Sequence, residues 1–291
     1  MTGLPVELIA GLAAEVEPVW RARQEARRAV RVRAPGAGTR YKLVFLDRLL
    51  VTLVHLRHGV THDVLAAWFD VDRSTVTRAI GEIRPILAER GCRAGNCTRL
   101  RTLDEVVEFL GAAADYAIMD ATEVRVRRPA ARALSRDKFV SGKSRQNAIK
   151  TLVITDSVGR LLFCGATAPG SVADITQARR SGLPGMLAGS GARVLADAGY
   201  QGLGTQNGGA VITPPHRKMR RNPPAWYEQL YREQRKAHSR LRIRVEHAIA
   251  HLKNWRSLSR HLPRRASFAH NILAAAGLLS DFQHVSRPQS T

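Results

Sequence analysis

Cysteine is scarce in this chain of 291 residues: Cys92, Cys97 and Cys164 are odd in number and form no C-x-x-C pair. That excludes a disulfide framework, argues against a zinc ribbon and suits a reducing cytosol. Acidic residues are equally under-represented. Asp and Glu total 24 against 46 Lys and Arg, for a net charge of +22 and a pI near 11.3. Such an excess points to a polyanionic partner, most commonly nucleic acid, with a membrane surface as the rival. No apolar run reaches the roughly eighteen residues of a spanning helix, and the N-terminus lacks a signal peptide's basic-then-apolar order. No internal repeat is visible. What is present is 44% hydrophobic residues, enough for a sizeable core in one large domain or a medium domain plus a small one. The expectation is a soluble, cytoplasmic, nucleoid-associated nucleic-acid binder.

The N-terminal third reads as helical. A helix is expected from Pro5 to Arg28, ending in Arg21, Arg23, Arg27 and Arg28, and Arg31 to Arg40 reads as a loop. Leu43, Leu46, Leu49, Leu50, Leu53 and Leu56 then recur at helical spacing, with Gly59 in the place of a C-cap. Thr61 caps a short helix carrying Val64, Leu65 and Trp68. After a turn at Asp70 and Val71, Asp72 caps another helix, which buries Val76, Ile80, Ile83 and Leu87. The opposite side of that helix offers Arg73, Ser74, Thr75, Thr77 and Arg78. Short helix, tight turn and capped helix make a helix-turn-helix layout, with short polar side chains to approach base edges and cations to meet phosphates. Glu89 to Arg101 reads as a linker, and Thr102 with Glu105 forms a capping box for a helix to about Ala113.

Beyond it, Tyr116 to Asp120 is a short apolar run that reads as a buried strand delivering a carboxylate where the run stops. That carboxylate must pair with a cation, bind a metal or sit at a solvent-open strand end. A basic arm follows (Arg125, Arg127, Arg128, Arg132, Arg136, Lys138), then Phe139 to Arg145. Strands at Ile149 to Ile154 and Arg160 to Ala166 are joined by a turn at Asp156 to Gly159, which implies an antiparallel meander. Pro169-Gly170-Ser171 breaks it. Val172 to Arg180 reads as a helix carrying Asp174, Ala192 to Ala196 as a buried strand ending at Asp197, and Ala210 to Thr213 as a last short strand. If the Asp120 and Asp197 strands lie side by side and parallel, roughly 4.8 Å apart, their carboxylates share one crevice. A third carboxylate, Glu246, lies on a helix from Ser239 to Leu258 with Leu241, Val245, Ala248, Leu252 and Trp255 as its buried stripe. Arg242, Glu246 and Lys253 fall on one neighbouring stripe. His247 and His251 have a zinc spacing, but the glutamate precedes both, so they read as surface or phosphate-facing residues.

These residues resemble the DDE transposases of bacterial insertion sequences, specifically the insertion-sequence-five group. The likeness covers nearly the whole chain. It rests on the helix-turn-helix at Leu49 to Ile86, Ile118-Met-Asp-Ala-Thr-Glu123, Phe139-Val-Ser-Gly-Lys143, Pro169-Gly-Ser-Val-Ala-Asp174 and Leu195-Ala-Asp-Ala-Gly-Tyr-Gln-Gly202. Most specific is R-x3-E-x6-K, here Arg242, Glu246 and Lys253. Ser239 stands where related families have a tyrosine, and Ala173 where many have a histidine; the acidic triad is intact.

The resemblance implies an α/β protein with an all-α helix-turn-helix domain (residues 1–95, the motif at about 41–88). An RNase H-like mixed-sheet catalytic core would follow over 96–291, with a basic insertion at about 203–238. In that insertion Trp226 and Tyr227 either stack on an unpaired base or pack the helix in place. Asp120, Asp197 and Glu246 would be catalytic and hold two Mg²⁺ or Mn²⁺ ions, Asp120 bridging both. Arg73, Ser74, Thr75, Thr77, Arg78, Lys143, Arg242 and Lys253 would meet DNA, and Asp174 would be auxiliary at most. The implied activity is cleavage at element ends and joining to target DNA, with the terminal inverted repeats and target DNA as partners and a homo-oligomeric synaptic complex. The rival readings are a non-catalytic DNA-binding regulator and a hydrolytic nuclease with the same core.

Overall fold

The structure is a computed structural model describing residues 1–29, 42–95, 98–113, 115–128, 136–206, 208–216, 221–259 and 265–286. The expected loop at Arg31 to Arg40, Cys97 and Arg132 lie outside the described residues. The chain divides into two compact units: residues 1–91 with 253–291, and residues 92–252.

The first unit is helical. It contains α1 (Val6–Ala29), α2 (Phe45–His58), α3 (His62–Trp68) and α4 (Arg73–Glu89). Gly59 ends α2 as expected: its φ of 63° is left-handed, which a Cβ would strain, and its N–H donates to the His55 carbonyl. Thr61 caps α3 by accepting from the Val64 N–H at 3.5 Å. Val76, Ile80, Ile83 and Leu87 of α4 are all buried. Two expectations change. Leu46 is exposed, because α2 begins only at Phe45 and turns that side chain outward. Asp72 occupies the N-cap of α4 but makes no side-chain cap; the backbone bond from the Thr75 N–H to the Asp72 carbonyl closes the turn.

Residues 253–291 group with this unit by packing. The reason is the helix at Arg265–Ser286, whose Phe268, Ile272, Ala275, Leu278 and Leu279 are buried. Its Asp281 carboxylate, 1% exposed, lies 2.9 Å from Arg90 at the end of α4. Burying two charges together is tolerable only when they pair, so this contact ties the late helix to α4. A second buried ion pair joins α2 to α4. Arg48 lies 2.8 Å from Glu82, which also accepts from the Trp20 indole N–H at 3.0 Å.

The second unit opens with a hairpin, β1 (Cys92–Ala94) and β2 (Thr98–Leu100), where a linker was expected. Cys92, Ala94 and Leu100 alternate inward, a period of two too short to stand out among the glycines and arginines. The expected capping box opens α5 (Leu103–Ala113). Glu105 Oε2 accepts from the Thr102 N–H at 3.0 Å, and Thr102 Oγ1 accepts from the Glu105 N–H at 3.2 Å.

A mixed sheet follows: β3 (Tyr116–Arg125), β4 (Ala148–Thr155), β5 (Leu161–Cys164), β6 (Ala168–Pro169), β7 (Arg193–Leu195) and β8 (Val211–Ile212). Its order is β5-β4-β3-β7-β8, with β6 on β4. The β3–β4–β5 pairs are antiparallel, and β3–β7 and β7–β8 are parallel. This is the RNase H-like mixed sheet the resemblance implied. Strand β3 does not stop at Asp120; it runs on to Arg125, because Glu123 faces Lys150 across the ladder and finds a counter-charge there. Helices α6 (Asp174–Arg180) and α7 (Leu183–Leu187) connect the antiparallel part to β7, their Ala178, Leu183 and Leu187 joining the core with Met119, Val194 and Tyr200. Finally, α8 (Ala225–Lys253) is one continuous helix that takes in the second half of the expected insertion. No helix among the described residues is long and apolar enough to cross a membrane.

The Arg48–Glu82 contact gives a stability test. Glu82→Ala takes a carboxylate away from a buried guanidinium and should cost about 3–5 kcal/mol in urea unfolding. A loss under about 0.5 kcal/mol, the range of an ordinary surface change, would show that the pair does not hold α2 to α4.

Candidate active site and nucleic-acid interface

The parallel register of β3 and β7 places Ile118 opposite Leu195. Two residues further along each chain come Asp120, within β3, and Asp197, just past the end of β7, so the parallel pairing brings both residues to the same side of the sheet's end. Each has one oxygen held by backbone. Asp120 Oδ1 accepts from the Ala121 N–H and Asp197 Oδ1 from the Gly199 N–H, both at 2.8 Å. Asp197 caps a short 3-10 turn, Ala198–Tyr200. A Cβ built on Gly199 would lie 3.0 Å from Asp197 Oδ1 and 3.8 Å from Asp174 Oδ2, so glycine is what lets that turn pass so close to two carboxylates.

Helix α8 supplies the cation. Arg242 Nη2 lies 3.2 Å from Asp120 Oδ2 and 3.8 Å from Glu246 Oε1, so one guanidinium bridges two of the three expected acids. Asp120 and Arg242 are 18% and 16% exposed, while Glu246 is 56% exposed. Burial pushes the Asp120 carboxyl above its usual range, with Asp197 and Asp174 adding to the rise; Arg242 and the Ala121 N–H only partly oppose it. Among the described residues, no three Asp, Glu, His or Cys side chains converge tightly enough to hold a metal ion as they stand. Like charges resist convergence without a cation between them, and here Arg242 is that cation.

The donor set nevertheless fits a hard divalent ion, since it consists of carboxylate oxygens. A further polar atom points the same way. Tyr200 is fully buried, and its hydroxyl has no hydrogen-bond partner. Its ionisation is suppressed by burial first, and then by Asp174, Asp120 and Asp197.

Two features here escape sequence reasoning. Lys150 lies inside the apolar β4 run, 8% exposed, 3.0 Å from Asp174 Oδ1 and 3.4 Å from Glu123 Oε1. Burial works against the Glu123 charge, but hydrogen bonds from Ser141 and Ser144, together with Lys150, leave its carboxyl below its ordinary value. Ser141 Oγ donates to Glu123 at 2.7 Å and accepts from the Lys143 and Ser144 N–H groups, fixing the loop that carries Lys143. A lysine inside an apolar strand was the available signal. Tyr200 left none, because a tyrosine after Asp-Ala-Gly reads equally well as core.

The expected DNA-facing side chains are largely at the surface. Arg73, Ser74, Thr77, Arg78 and Lys143 are exposed and Thr75 is half-buried. Two of them already have neighbours: Arg73 lies 3.4 Å from Asp63, and the Thr77 hydroxyl lies 2.8 Å from His62 Nδ1. Lys253 is exposed at the end of α8, and His247 and His251 are exposed as read. Trp226 is 63% exposed and does not pack its helix in place; Tyr227 stacks on Tyr231 at 6.5 Å.

The sequence profile of the DDE superfamily endonucleases matches residues 119–280, and that of the helix-turn-helix of DDE superfamily endonucleases matches residues 41–93. A protein of Streptomyces albus G named as a transposase for insertion sequence element IS112 is 27% identical over 86% of this chain and 90% of its own. One of Microchaete diplosiphon, named as a transposase for insertion sequence element IS702, is 27% identical over 81% of each. Among solved structures, the Mos1 transposase paired-end complex aligns over 82% of this chain and 87% of its own, at 12% identity and a TM-score of 0.19, too low to bear on the fold. With the profile spanning more than half of its length, this chain belongs to the DDE superfamily of endonucleases.

Proposed function

We propose that the chain is a transposase that cuts DNA at the ends of an insertion sequence and joins them to target DNA. The observation that carries this reading is the parallel pairing of β3 and β7, which brings Asp120 and, just past β7, Asp197 together, with Arg242 between Asp120 and Glu246. Transposase relatives over most of the chain and a helix-turn-helix in the same polypeptide support it.

Asp120, Asp197 and Glu246 are the acids that would hold the divalent ions used across this superfamily, which we take to be two Mg²⁺, with Mn²⁺ as a substitute. When bound, such ions supply charge that activates the attacking oxygen and stabilises the leaving one. Asp120 and Asp197 are oriented for that task by backbone N–H groups and lose little entropy on engaging. Once its carboxylates have another counter-charge, Arg242 can turn its donors to a phosphate, and Lys253 lies about three turns along the same helix. Water attacks the phosphodiester at the element's end and a 3′ oxygen leaves; that 3′-OH then attacks a phosphodiester of the target. Both displacements have the same form and differ only in nucleophile, so one site serves both.

Arg73, Ser74, Thr75, Thr77 and Arg78 at the start of α4 would read the terminal inverted repeats, with Lys143 on phosphate. A homo-oligomer would hold two ends together. The narrower likeness to the insertion-sequence-five group rests on the motifs alone.

Asp120→Asn should abolish end cleavage while leaving affinity for the terminal repeats within about twofold of wild type. Cleavage persisting in that variant would remove Asp120 from the chemistry. Arg78→Ala should weaken binding to every DNA sequence and lower the salt dependence of log affinity by about one contact. Unchanged affinity and an unchanged slope would take Arg78 out of the interface.

A further inference from the structure

We propose that Asp174 is a fourth carboxylate of the divalent-cation site, and that the Tyr200 hydroxyl is the positioning donor to that carboxylate set from the protein interior. This inference rests on the reading of Asp120 and Asp197 as the ion-holding pair, and goes beyond it.

The geometry around Gly199 carries it. Asp197 Oδ1 and Asp174 Oδ2 both lie within 4 Å of the point where that residue's Cβ would stand. Asp174 Oδ1 is held by the Lys150 ammonium at 3.0 Å, which leaves its second oxygen on the Asp197 side. Asp120, Asp197 and Asp174 thus share one arrangement: a nitrogen donor grips Oδ1 of each. Glu246 differs. It is 56% exposed, and its described contact is with Arg242.

Tyr200 is the independent observation. A fully buried hydroxyl without a partner is unusual, because desolvating an O–H without a replacement bond is unfavourable. It lies on the 3-10 turn that Asp197 caps, its N–H donating to the Asp197 carbonyl at 3.2 Å. Beside carboxylates, a phenol O–H can act only as the donor. It gains its bond when a cation draws those oxygens together, and the free energy of that bond then appears as cation affinity. Lys150 completes the set by orienting Asp174, and its other partner, Glu123, ties it to the loop of Ser141 and Ser144.

The competing explanation is that Asp174 is only a structural ion pair for Lys150 and Tyr200 only core. The two accounts separate on cation binding measured without DNA or turnover. The full chain is titrated with Mn²⁺ alone, bound ion being read by electron paramagnetic resonance, and thermal midpoints are recorded in EDTA and in saturating Mn²⁺. Asp174→Asn should bind Mn²⁺ roughly tenfold or more weakly, as loss of a ligand or its orienting partner does. Tyr200→Phe should keep or raise the midpoint in EDTA, since it removes an orphaned hydroxyl, and yet show a smaller Mn²⁺-induced rise. Should Asp174→Asn fail to fold, Tyr200→Phe decides alone. Wild-type Mn²⁺ affinity in both variants, with Asp120→Asn impaired, would overturn the inference and leave the proposed function standing. Wild-type affinity in Asp120→Asn as well, or no Mn²⁺ binding by the unmodified protein, would overturn both.

Discussion

Two carboxylates held side by side on parallel strands are the constraint on which the catalytic unit turns. Nothing in sheet formation favours that juxtaposition, since like charges at the spacing of neighbouring strands repel. The protein accepts it by burying the strands that carry the acids and by surrounding the acids with cations. Ala117, Ile118 and Met119 of β3 and Val194, Leu195 and Ala196 around β7 are nearly inaccessible, so the strand ends have little freedom to part. Arg242 then answers Asp120, and Lys150 answers Asp174. Burial, with Asp197 and Asp174, still pushes the Asp120 carboxyl up despite Arg242.

Much of the rest of the unit serves to deliver Arg242 and Glu246 to that place. Their i,i+4 spacing puts both side chains on one face of α8, and Val245, Ala248 and Leu252 anchor the same helix through its buried stripe. The opposite end of α8 buries little and carries Trp226, Arg232, Arg235 and Lys236 outward. One helix therefore combines a packed end that carries Arg242 and Glu246 with an exposed basic and aromatic stretch. In the helical unit the same economy recurs, since Glu82 and Asp281 each answer a buried arginine, Arg48 and Arg90.

The parts of this architecture legible in the sequence were those with strong periodicity or specific punctuation. The α4 stripe, the αL glycine after α2 and the Thr102–Glu105 box all follow from local patterns, whereas the parallel pairing of the Asp120 and Asp197 strands entered the sequence reading only as a condition. What stayed hidden depended on partners distant in sequence. Strand β3 looked finished at Asp120 because Thr122 and Glu123 are polar, and only the antiparallel partner shows that Lys150 completes them. Alanine-rich residues 265–286 carry too little amphipathic contrast to reveal their face, and their return to the helical unit rests on the Asp281–Arg90 contact. Asp174 was visible as the end of a motif but without a role, and Tyr200 read equally well as core: what sets both apart is the carboxylates gathered around them, not their own neighbours along the chain.

The most direct test of the account is a joining reaction: purified protein, labelled DNA carrying the element's ends, a target plasmid and Mg²⁺, run beside Asp197→Asn. The account predicts joined products that require the divalent ion and vanish in the variant. Joined products persisting in Asp197→Asn would contradict it, since the pairing of Asp120 and Asp197 would then not be the catalytic centre.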